Sequence, residues 1–462
     1  MASPYKINIV PEDTGLWKVP QTEETAKKAS ELLQEDLEKH HVFFNESGFH
    51  NHIPHHILAL YGTGADALAL QRGYDDNVDY QRPTLPVHSD IVDDLFQGSW
   101  DHAQPYLGKE KHYPDFLRFF QREMDNKSWE TVLIEYLFKP AGDPAGDDML
   151  ARLFSGFLHP LIQLMYGMEW KQPAIVAEGL AQTAVHEANP KGFLLDAEKV
   201  AEQNTEKKMP PIVNLLQQIR SDKKLASAAR EEDANKLRDG VLGRARDEMV
   251  RIAGLVRVKP EELDEKAAEM FEACVYMAAS AAVWKHPPKY PKFDFFLMHH
   301  VNAAPIFLTI NAQPWIPIDI KVRLLEWKIR MDLLQYAGRV VPPLELDKIA
   351  AYEPKSAHVS DPKEIIPRLH TFSEDGHAIK LARASLICHD FVANTKKYTN
   401  RILSDKLWTK IFHLIVDSIV ESPGSNWVRT AGLASAWKDI PDMPAAAAAP
   451  DGSKEKKHSK AE

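Results

Sequence analysis

Cysteine is scarce in this chain of 462 residues, which contains only Cys274 and Cys388. Neither belongs to a CxxC pair, so a disulfide framework and a thiolate metal site are both disfavoured. No apolar run approaches the roughly 18 residues that a membrane span needs. The formal net charge of −10 disfavours attraction to nucleic acid or to an anionic membrane. The start of the chain lacks the apolar segment of a secretory signal, so we expect a cytoplasmic protein without a nucleic-acid or membrane partner.

Strand patterns and nucleotide motifs are also few. Alternating apolar and polar residues are rare between turn signals, and neither a strand–helix–strand rhythm nor an internal repeat is evident. Residues 62–67 fit a dinucleotide-binding fingerprint, but the residues before them are predicted to be helical, which disfavours a nucleotide site. Glu38 and Glu374 begin ExxH matches of the di-iron kind. Gly376 interrupts the second match, so we expect Glu374 to precede a helix.

Helical periodicity punctuated by proline is the dominant pattern. It predicts many helices, among them residues 22–39, 54–70, 149–168, 173–187, 225–256, 293–310, 316–337, 377–398 and 427–438. We predict an all-α fold with a single large multi-helix body, residues 21–442. An extended arm, residues 1–20, precedes it, and a disordered tail, residues 443–462, follows it because that sequence cannot bury a core.

Histidine is abundant, with 20 residues, six of them between positions 40 and 56. Histidine is the commonest metal ligand and the usual proton-transfer group near neutral pH. His50, His52, His55 and His56 span a predicted junction between a loop and a helix. Any single one is more often an exposed or capping side chain, but the four together favour a functional site.

Three further segments place polar groups on apolar helices. His159 lies in one strongly apolar stretch, and the neighbouring pair His299 and His300 lies in another. A buried imidazole in such a stretch needs partners for both nitrogens. A metal and a second acceptor would supply them; an ordinary core histidine bonded to a neighbour is the alternative. His377 and Lys380 are three residues apart and share a helical face. Lys380 is either a surface lysine or a buried neutral amine that can add CO₂ and form a carbamate ligand.

Together these segments resemble the questin oxidase-like family, enzymes of fungal and bacterial polyketide metabolism. The resemblance covers roughly residues 48–428. It is carried by Asn51-His52, Gly-x-x-His-Pro-Leu-Ile around His159, Leu-Met-His-His-Val around His299, Asp-Gly-His-Ala-Ile-Lys ending at Lys380, and the alanine-rich residues 177–182. It implies an oxidoreductase that uses O₂ to open the quinone or hydroquinone ring of an anthraquinone-type aromatic polyketide in secondary metabolism.

The resemblance also implies a site and a cofactor. Fe(II) would be held in a non-heme dioxygenase centre by five ligands: His52, His159, His299, His377 and Lys380 as its carbamate. His377 and Lys380 would be the catalytic pair. The alternative ligands or supporting residues are His55, His56 and His300. Aromatic residues that would line the substrate pocket are Tyr61, Phe157, Tyr166 and Phe296.

Two other functions are weighed against this one. Some members of the family are described as Baeyer–Villiger-type oxidases, so the first alternative is an NADPH-dependent oxidase without a tightly bound metal. The absence of a convincing nucleotide motif counts against it. The second is a helical scaffold or ligand-binding protein that has lost its chemistry.

Overall fold

The computed structural model describes residues 1–204, 208–285 and 287–444. Within these ranges the chain is helical and forms no β-sheet, only isolated bridges such as the one between Asp294 and Val428. The predicted all-α class is therefore confirmed. The tail predicted to be disordered lies outside the described residues except for its first two positions. The division into arm, body and tail stays a prediction.

The helices are numbered in chain order. The first half of the chain contains α1 (Glu23–Lys39), α2 (Ile53–Tyr61), α3 (Ala67–Val78), α4 (Ser89–Gln97), α5 (Tyr113–Asn126), α6 (Trp129–Tyr136), α7 (Pro144–Leu153), α8 (His159–Glu169), α9 (Pro173–Val185), α10 (Lys191–Gln203) and α11 (Ile212–Ser221). The second half contains α12 (Lys223–Ala226), α13 (Leu242–Arg244), α14 (Arg246–Ala253), α15 (Leu263–Val283), α16 (Phe295–Asn302), α17 (Ile306–Ala312), α18 (Ile318–Gly338), α19 (Leu346–Ala351), α20 (Pro362–Ile365), α21 (His377–Asn394) and α22 (Asp405–Val420).

Short 3₁₀ segments and one π-helical segment lie between or after these helices. The 3₁₀ turns are Trp100–Ala103, Glu110–His112, Gly156–Leu158, Pro260–Glu262, Ile366–Leu369 and Ser435–Trp437. A π-helical turn covers Lys236–Val241. Among the helices described, none combines the length and the apolar character needed to cross a lipid bilayer.

Two predicted helices are interrupted by local turn chemistry. The predicted helix 54–70 ends at Tyr61, because Gly64 adopts a φ of 89° and the Asp66 side chain caps a new helix at Ala69 N. The predicted helix 293–310 divides into α16 and α17 immediately before Pro305, which has no N–H to continue the first helix. These errors arise because apolar periodicity continues across both turns.

Three other predicted helices were also wrong in extent. The predicted helix 149–168 is divided by the Gly156–Leu158 turn. The charge-dense residues 225–256 form short pieces rather than one long helix, and residues 427–438 contain only the Ser435–Trp437 turn. The charge density of residues 225–256 predicts a solvated helix face but does not show where the backbone turns.

The interior that holds the histidines lies where α2, α8, α16 and α21 approach one another. α21 packs against α2, α15, α16 and α22, and α8 packs against α2 and α9. Asp294 fixes the start of α16, because its Oδ1 accepts hydrogen bonds from Phe296 N (2.9 Å) and Leu297 N (3.0 Å). Its Oδ2 accepts a third from Ala431 N (2.6 Å), which ties the C-terminal segment to this helix.

The N-terminal arm lies along the helical body. Ile7 N donates a hydrogen bond to Gln34 Oε1 of α1 (2.8 Å). Asn8 exchanges two with the side chain of Gln172, at 2.9 and 3.1 Å. These contacts give the segment fixed partners on α1 and directly before α9.

Candidate metal centre

The four histidines predicted as ligands come from four helices and meet in the interior. His52 directly precedes α2, His159 and His377 begin α8 and α21, and His299 lies within α16. All four are more than nine-tenths buried. His52 Nε2 lies 2.9 Å from His159 Nε2, and His377 Nε2 lies 3.3 Å from His299 Nε2. The two pairs are neighbours: the ring centroids of His52 and His377 are 4.5 Å apart, and those of His159 and His299 are 4.8 Å apart.

Backbone carbonyls hold two of these rings through Nδ1. His159 Nδ1 lies 2.7 Å from Gly156 O, and His299 Nδ1 lies 2.6 Å from Phe295 O. A carbonyl oxygen only accepts hydrogen bonds, so the proton of each ring is on Nδ1. The Nε2 atom of each ring therefore carries a lone pair.

Asp375 holds the other two rings. Its Oδ1 accepts a hydrogen bond from His377 Nδ1, and its Oδ2 lies 3.4 Å from His52 Nδ1. Burial would raise the pKa of Asp375, but His377 and His52 hold it well below its usual range. An ionised carboxylate that accepts the Nδ1 proton of His377 leaves a lone pair on His377 Nε2, and its charge 3.4 Å from His52 Nδ1 favours the same tautomer of His52.

With these tautomers, the close approaches between Nε2 atoms are not hydrogen bonds. In each pair two acceptors face one another, across 2.9 and 3.3 Å, with no proton between them. Such lone pairs repel unless a cation lies between them. A transition metal about 2.1 Å from two imidazole nitrogens at a right angle places those nitrogens roughly 3 Å apart. The ligand atoms of His52, His299 and His377 lie within 4.8 Å of one another, in a group that does not include His159. These three rings, with His159 beside His52, fit a divalent metal that accepts imidazole, including Fe(II).

Burial also keeps these rings in the form that binds metal. It lowers the pKa of His52 to about 3, with a further contribution from the charge of Lys380. Burial lowers the pKa values of His159 and His299 well below their usual range. It lowers the pKa of His377 as well, although Asp375 opposes the shift. All four rings are therefore neutral near neutral pH, as metal ligation requires.

The turn before His159 positions that ring by an unusual backbone path. Gly156, Phe157 and Leu158 have φ values of 53°, 55° and 67°, three successive residues in the left-handed region. This conformation costs roughly 1–2 kcal/mol for each residue other than glycine. A side chain at position 156 would also place its Cβ 2.3 Å from His186 Nε2. The turn therefore requires glycine first and directs His159 inward.

Gly376 performs a similar role before His377. It has a φ of 84°, and a Cβ there would lie 2.6 Å from His56 Cβ. Glu374 precedes the helix, as the sequence predicts, and its Oε1 accepts a hydrogen bond from Ala378 N (2.8 Å). The carboxylate therefore caps the start of α21.

Lys380 lies one turn after His377 on α21 and is only 2% exposed. Burial lowers its pKa to about 8, although Asp375 and Glu374 oppose this shift. The described part of the chain offers its Nζ no hydrogen bond. A buried lysine usually has a partner or a function, and a partly neutral amine is the form that reacts with CO₂.

The predicted alternatives to His52 have their own partners. His55 Nε2 lies 2.5 Å from Gln163 Oε1, and its ring stacks on Tyr166 with centroids 5.5 Å apart. His56 packs against Gly376, and its Nδ1 lies 3.5 Å from Asn77 Nδ2. Neither ring is placed with the four Nε2 atoms described above. His300, the alternative to His299, is bonded through Nδ1 to Asp332 (2.6 Å).

The predicted pocket aromatics fall into two groups. Phe157 is 41% exposed, and its ring centroid lies 4.9 Å from that of Phe296. Both line a cavity of about 370 Å³. Tyr61 is buried against Trp170, and Tyr166 is buried over His55. The substrate-binding role of all four stays a prediction, and the structure places only the two phenylalanines at this cavity.

Three residues near the centre were not among the predicted ligands, although His50 belongs to the histidine cluster that favoured a functional site. The ring of His50 stacks on His159 with centroids 3.9 Å apart, and its Nε2 lies 2.8 Å from His186 Nε2. Here a hydrogen bond is possible, because His186 Nδ1 is engaged by Gln182 O (2.7 Å) while His50 Nδ1 has no such anchor. Asp375 had a signal in the sequence, a carboxylate two residues before a histidine. His186 had none.

Two further groups of side chains bring three potential metal ligands together among the described residues. Glu374, Asp375 and His377 form one, which shares His377 with the four-histidine centre. His88, His112 and Asp115 form the other. In the latter, both histidine Nδ1 atoms lie within 3.2 Å of Asp115 oxygens, so hydrogen bonds account for the arrangement without an ion.

Comparison with known proteins identifies the family. The questin oxidase-like family model matches residues 49–385, which include all the proposed ligands. A Baeyer–Villiger oxidase, ptaJ, of Pestalotiopsis fici is 36% identical over 425 residues, covering 90% of this chain and 93% of the relative. Oxidoreductase AflY of Aspergillus parasiticus is 35% identical, covering 96% and 94%. Questin oxidase of Aspergillus fumigatus is 34% identical, covering 89% and 93%.

These matches cover the chain almost from end to end, so they concern the whole helical body and not one motif. They confirm the prediction of an oxidoreductase that acts as an oxygenase. They also confirm the resemblance inferred from the four histidine segments. The chain belongs to the questin oxidase-like family.

Proposed function

We propose that the chain is a non-heme iron dioxygenase that opens the quinone or hydroquinone ring of an anthraquinone-type aromatic polyketide. The observation that carries the proposal is the pair of short Nε2–Nε2 approaches between buried, neutral histidines. Relatives named questin oxidase and Baeyer–Villiger oxidase support an oxidase of aromatic polyketides in secondary metabolism. A cytoplasmic location is part of the same proposal.

In the proposed centre, four Nε2 atoms and a carbamate oxygen of Lys380 are the ligands; the histidines are His52, His159, His299 and His377. Three of these histidines stand at helix N-termini. The partial positive charge of a helix N-terminus disfavours a bare dication and favours an anion. One carbamate reduces the net charge of an iron(II) centre to about +1 and so offsets this repulsion.

When bound, iron would supply a centre at which O₂ is reduced by electrons from the hydroquinone. The chain's own residues hold the donors and shape the surroundings. Asp375 fixes the orientation of His52 and His377, and the backbone fixes the other two ligands. Phe157 and Phe296 offer aromatic faces to a planar substrate.

The ligand role of Lys380 is tested by Lys380→Ala. We expect this variant to lose bound iron and turnover, and a small carboxylic acid such as propionate to restore part of both by replacing the carbamate. The matched control is Lys292→Met. Lys292 is also buried with a pKa lowered by burial to about 8, but its Nζ donates to Ser418 O (2.6 Å) away from the histidines. Wild-type iron content and activity in Lys380→Ala would refute the carbamate.

An NADPH-dependent Baeyer–Villiger-type oxidase without a tightly bound metal is the second candidate. The observation that favours it is the cavity of about 370 Å³ beside Phe157 and Phe296, whose basic lining residues are Lys236, Arg339, Arg429 and Lys438. Such a lining suits the phosphates of a dinucleotide.

Labelled oxygen separates the two candidates. A dioxygenase places both atoms of ¹⁸O₂ in the product and needs no external reductant. A Baeyer–Villiger oxidase inserts one atom, and NADPH reduces the other to water. Two labelled atoms without NADPH would refute the second candidate. One labelled atom with NADPH consumption, unaffected by exhaustive chelation, would refute the iron proposal.

A further inference from the structure

His300, the neighbour of His299, belongs to a different polar network. Its Nδ1 lies 2.6 Å from Asp332 Oδ1, and Asp332 also pairs with Lys328 Nζ at 2.5 Å. Cys274 Sγ donates to Asp332 Oδ2 at 3.0 Å. All of these side chains are more than nine-tenths buried. Because the carboxylate only accepts, the proton of the His300 ring is on Nδ1, and Nε2 is left as an acceptor.

His300 also lines a cavity of about 260 Å³ beside the Gly156–Leu158 turn. Most of the lining is apolar: Phe154, Phe157, Leu158, Leu242, Met331 and Leu334. Small-molecule sites have this character, with a few placed polar groups that fix the orientation of the ligand. The turn leads into His159 and α16 carries His299, so the cavity adjoins the proposed metal centre.

Among the polar lining residues, Gln335 is buried like His300 and Ser155, whereas Asn189, Asn235 and Arg238 are exposed. Gln335 lies one helical turn after Asp332 on α18 and is 1% exposed. Its Nε2 has no hydrogen-bond partner among the residues that the structure describes. A buried amide N–H without a partner is unfavourable, and a rotation of the Gln335 amide toward the cavity would let a ligand carbonyl oxygen satisfy it.

We propose that this cavity is the subsite for the oxygenated edge of the aromatic substrate. His300 Nε2 accepts a hydrogen bond from a ring hydroxyl, and Gln335 Nε2 donates one to a ring carbonyl. The two residues therefore select a ring that carries both groups, as hydroxylated quinones do. The inference rests on the proposed function for its substrate class, but it does not depend on the identity of the metal.

The test compares two probes, 2-hydroxyanthraquinone and 2-methoxyanthraquinone, which share the carbonyls but differ in the hydroxyl donor. Binding to the full-length protein as purified is measured anaerobically by quenching of tryptophan fluorescence, and the metal content of each sample is determined. One hydrogen bond corresponds to roughly 2- to 10-fold in affinity. We expect wild-type protein to bind the hydroxyl compound about fivefold more tightly. His300→Phe should remove that preference and keep the metal.

Gln335→Leu should weaken binding of both compounds about fivefold and leave the preference intact, because both compounds carry the carbonyls. The matched control is Gln81→Leu, a buried glutamine at the end of α3 that lines neither cavity, and it should change neither affinity. Equal affinities in wild-type protein would overturn the proposal even if a variant failed to fold. Loss of metal in His300→Phe would also overturn it. Protein that lacks iron yet keeps the preference would refute the iron centre and support the subsite.

Discussion

Two adjacent residues of α16, His299 and His300, belong to two different polar regions: the four-histidine centre and the network around Asp332. His299 is held by a backbone carbonyl and directs the lone pair of its Nε2 toward His377 Nε2. His300 is held by Asp332, whose charge is balanced by Lys328. The donors of the four-histidine centre therefore suit a cation, whereas the charges of the network around Asp332 balance one another. The comparison shows that buried histidines differ in the partners of Nδ1 and in the direction of Nε2, and the proposed metal centre depends on that difference.

The network around Asp332 is stabilised by the pairing of its charges. Burial acts against both charges, but Asp332 raises the pKa of Lys328 and Lys328 lowers that of Asp332. Both groups are therefore ionised near neutral pH. The network needs no added ion, and its loss should affect folding before it affects metal binding.

Removal of one charge from this network should have the largest effect. In Asp332→Ala, Lys328 would be left buried and unpaired, which costs about 3–5 kcal/mol. We expect that loss in the free energy of unfolding measured with urea, while the folded fraction keeps its metal. Lys328→Met combined with Asp332→Leu should recover most of the stability, because it removes both charges. If Asp332→Ala kept wild-type stability but lost its metal, Asp332 would support the metal centre and not the stability of the fold.

In the four-histidine centre, Asp375→Asn should weaken metal binding. Asp375 accepts the Nδ1 proton of His377 and lies beside that of His52, and loss of such a supporting group typically costs 10- to 100-fold in metal affinity. Competition with a chelator measures the change. The control is Glu374→Gln, which keeps the oxygen that caps Ala378 N and should bind metal normally. Normal metal affinity in Asp375→Asn together with weakened affinity in Glu374→Gln would assign the metal to Glu374 and its neighbours.

The smallest predicted effect concerns the turn that presents His159. Gly156→Ala should reduce the free energy of unfolding by about 1–2 kcal/mol more than Gly142→Ala does. Both glycines have positive φ, but nothing lies within 4 Å of a Cβ at position 142, whereas His186 Nε2 would lie 2.3 Å from one at position 156. Equal losses in thermal or urea unfolding would mean that His186 moves freely and that the turn does not constrain the centre.

Much of the centre could be predicted because its signals are local. Apolar periodicity predicted the helical class, and His159, His299 and the His377–Lys380 pair stood out as polar groups on apolar helix faces. Asp375 lies in the same sequence motif as His377 and Lys380. Its contact with both His52 and His377 depends on the approach of α2 to α21, which spacing along the chain does not encode.

Other features could not be predicted for a clear physical reason. The His50–His186 contact joins residues 136 positions apart, and His186 follows α9 without any distinctive pattern. The unpartnered amide of Gln335 lies on a helix whose apolar periodicity predicts only burial. The breaks in the predicted helices reflect glycine and proline turns across which the apolar pattern continues. Pairing across the fold, rather than pattern along the chain, decides the first two cases.

The most direct test of the metal centre is anomalous diffraction at the iron absorption edge from crystals of the purified protein. The account predicts one peak in contact with Nε2 of His52, His159, His299 and His377, together with additional density bonded to Lys380 Nζ. An anomalous peak at Glu374 instead, or fully active crystalline protein with no peak between the four rings, would contradict it.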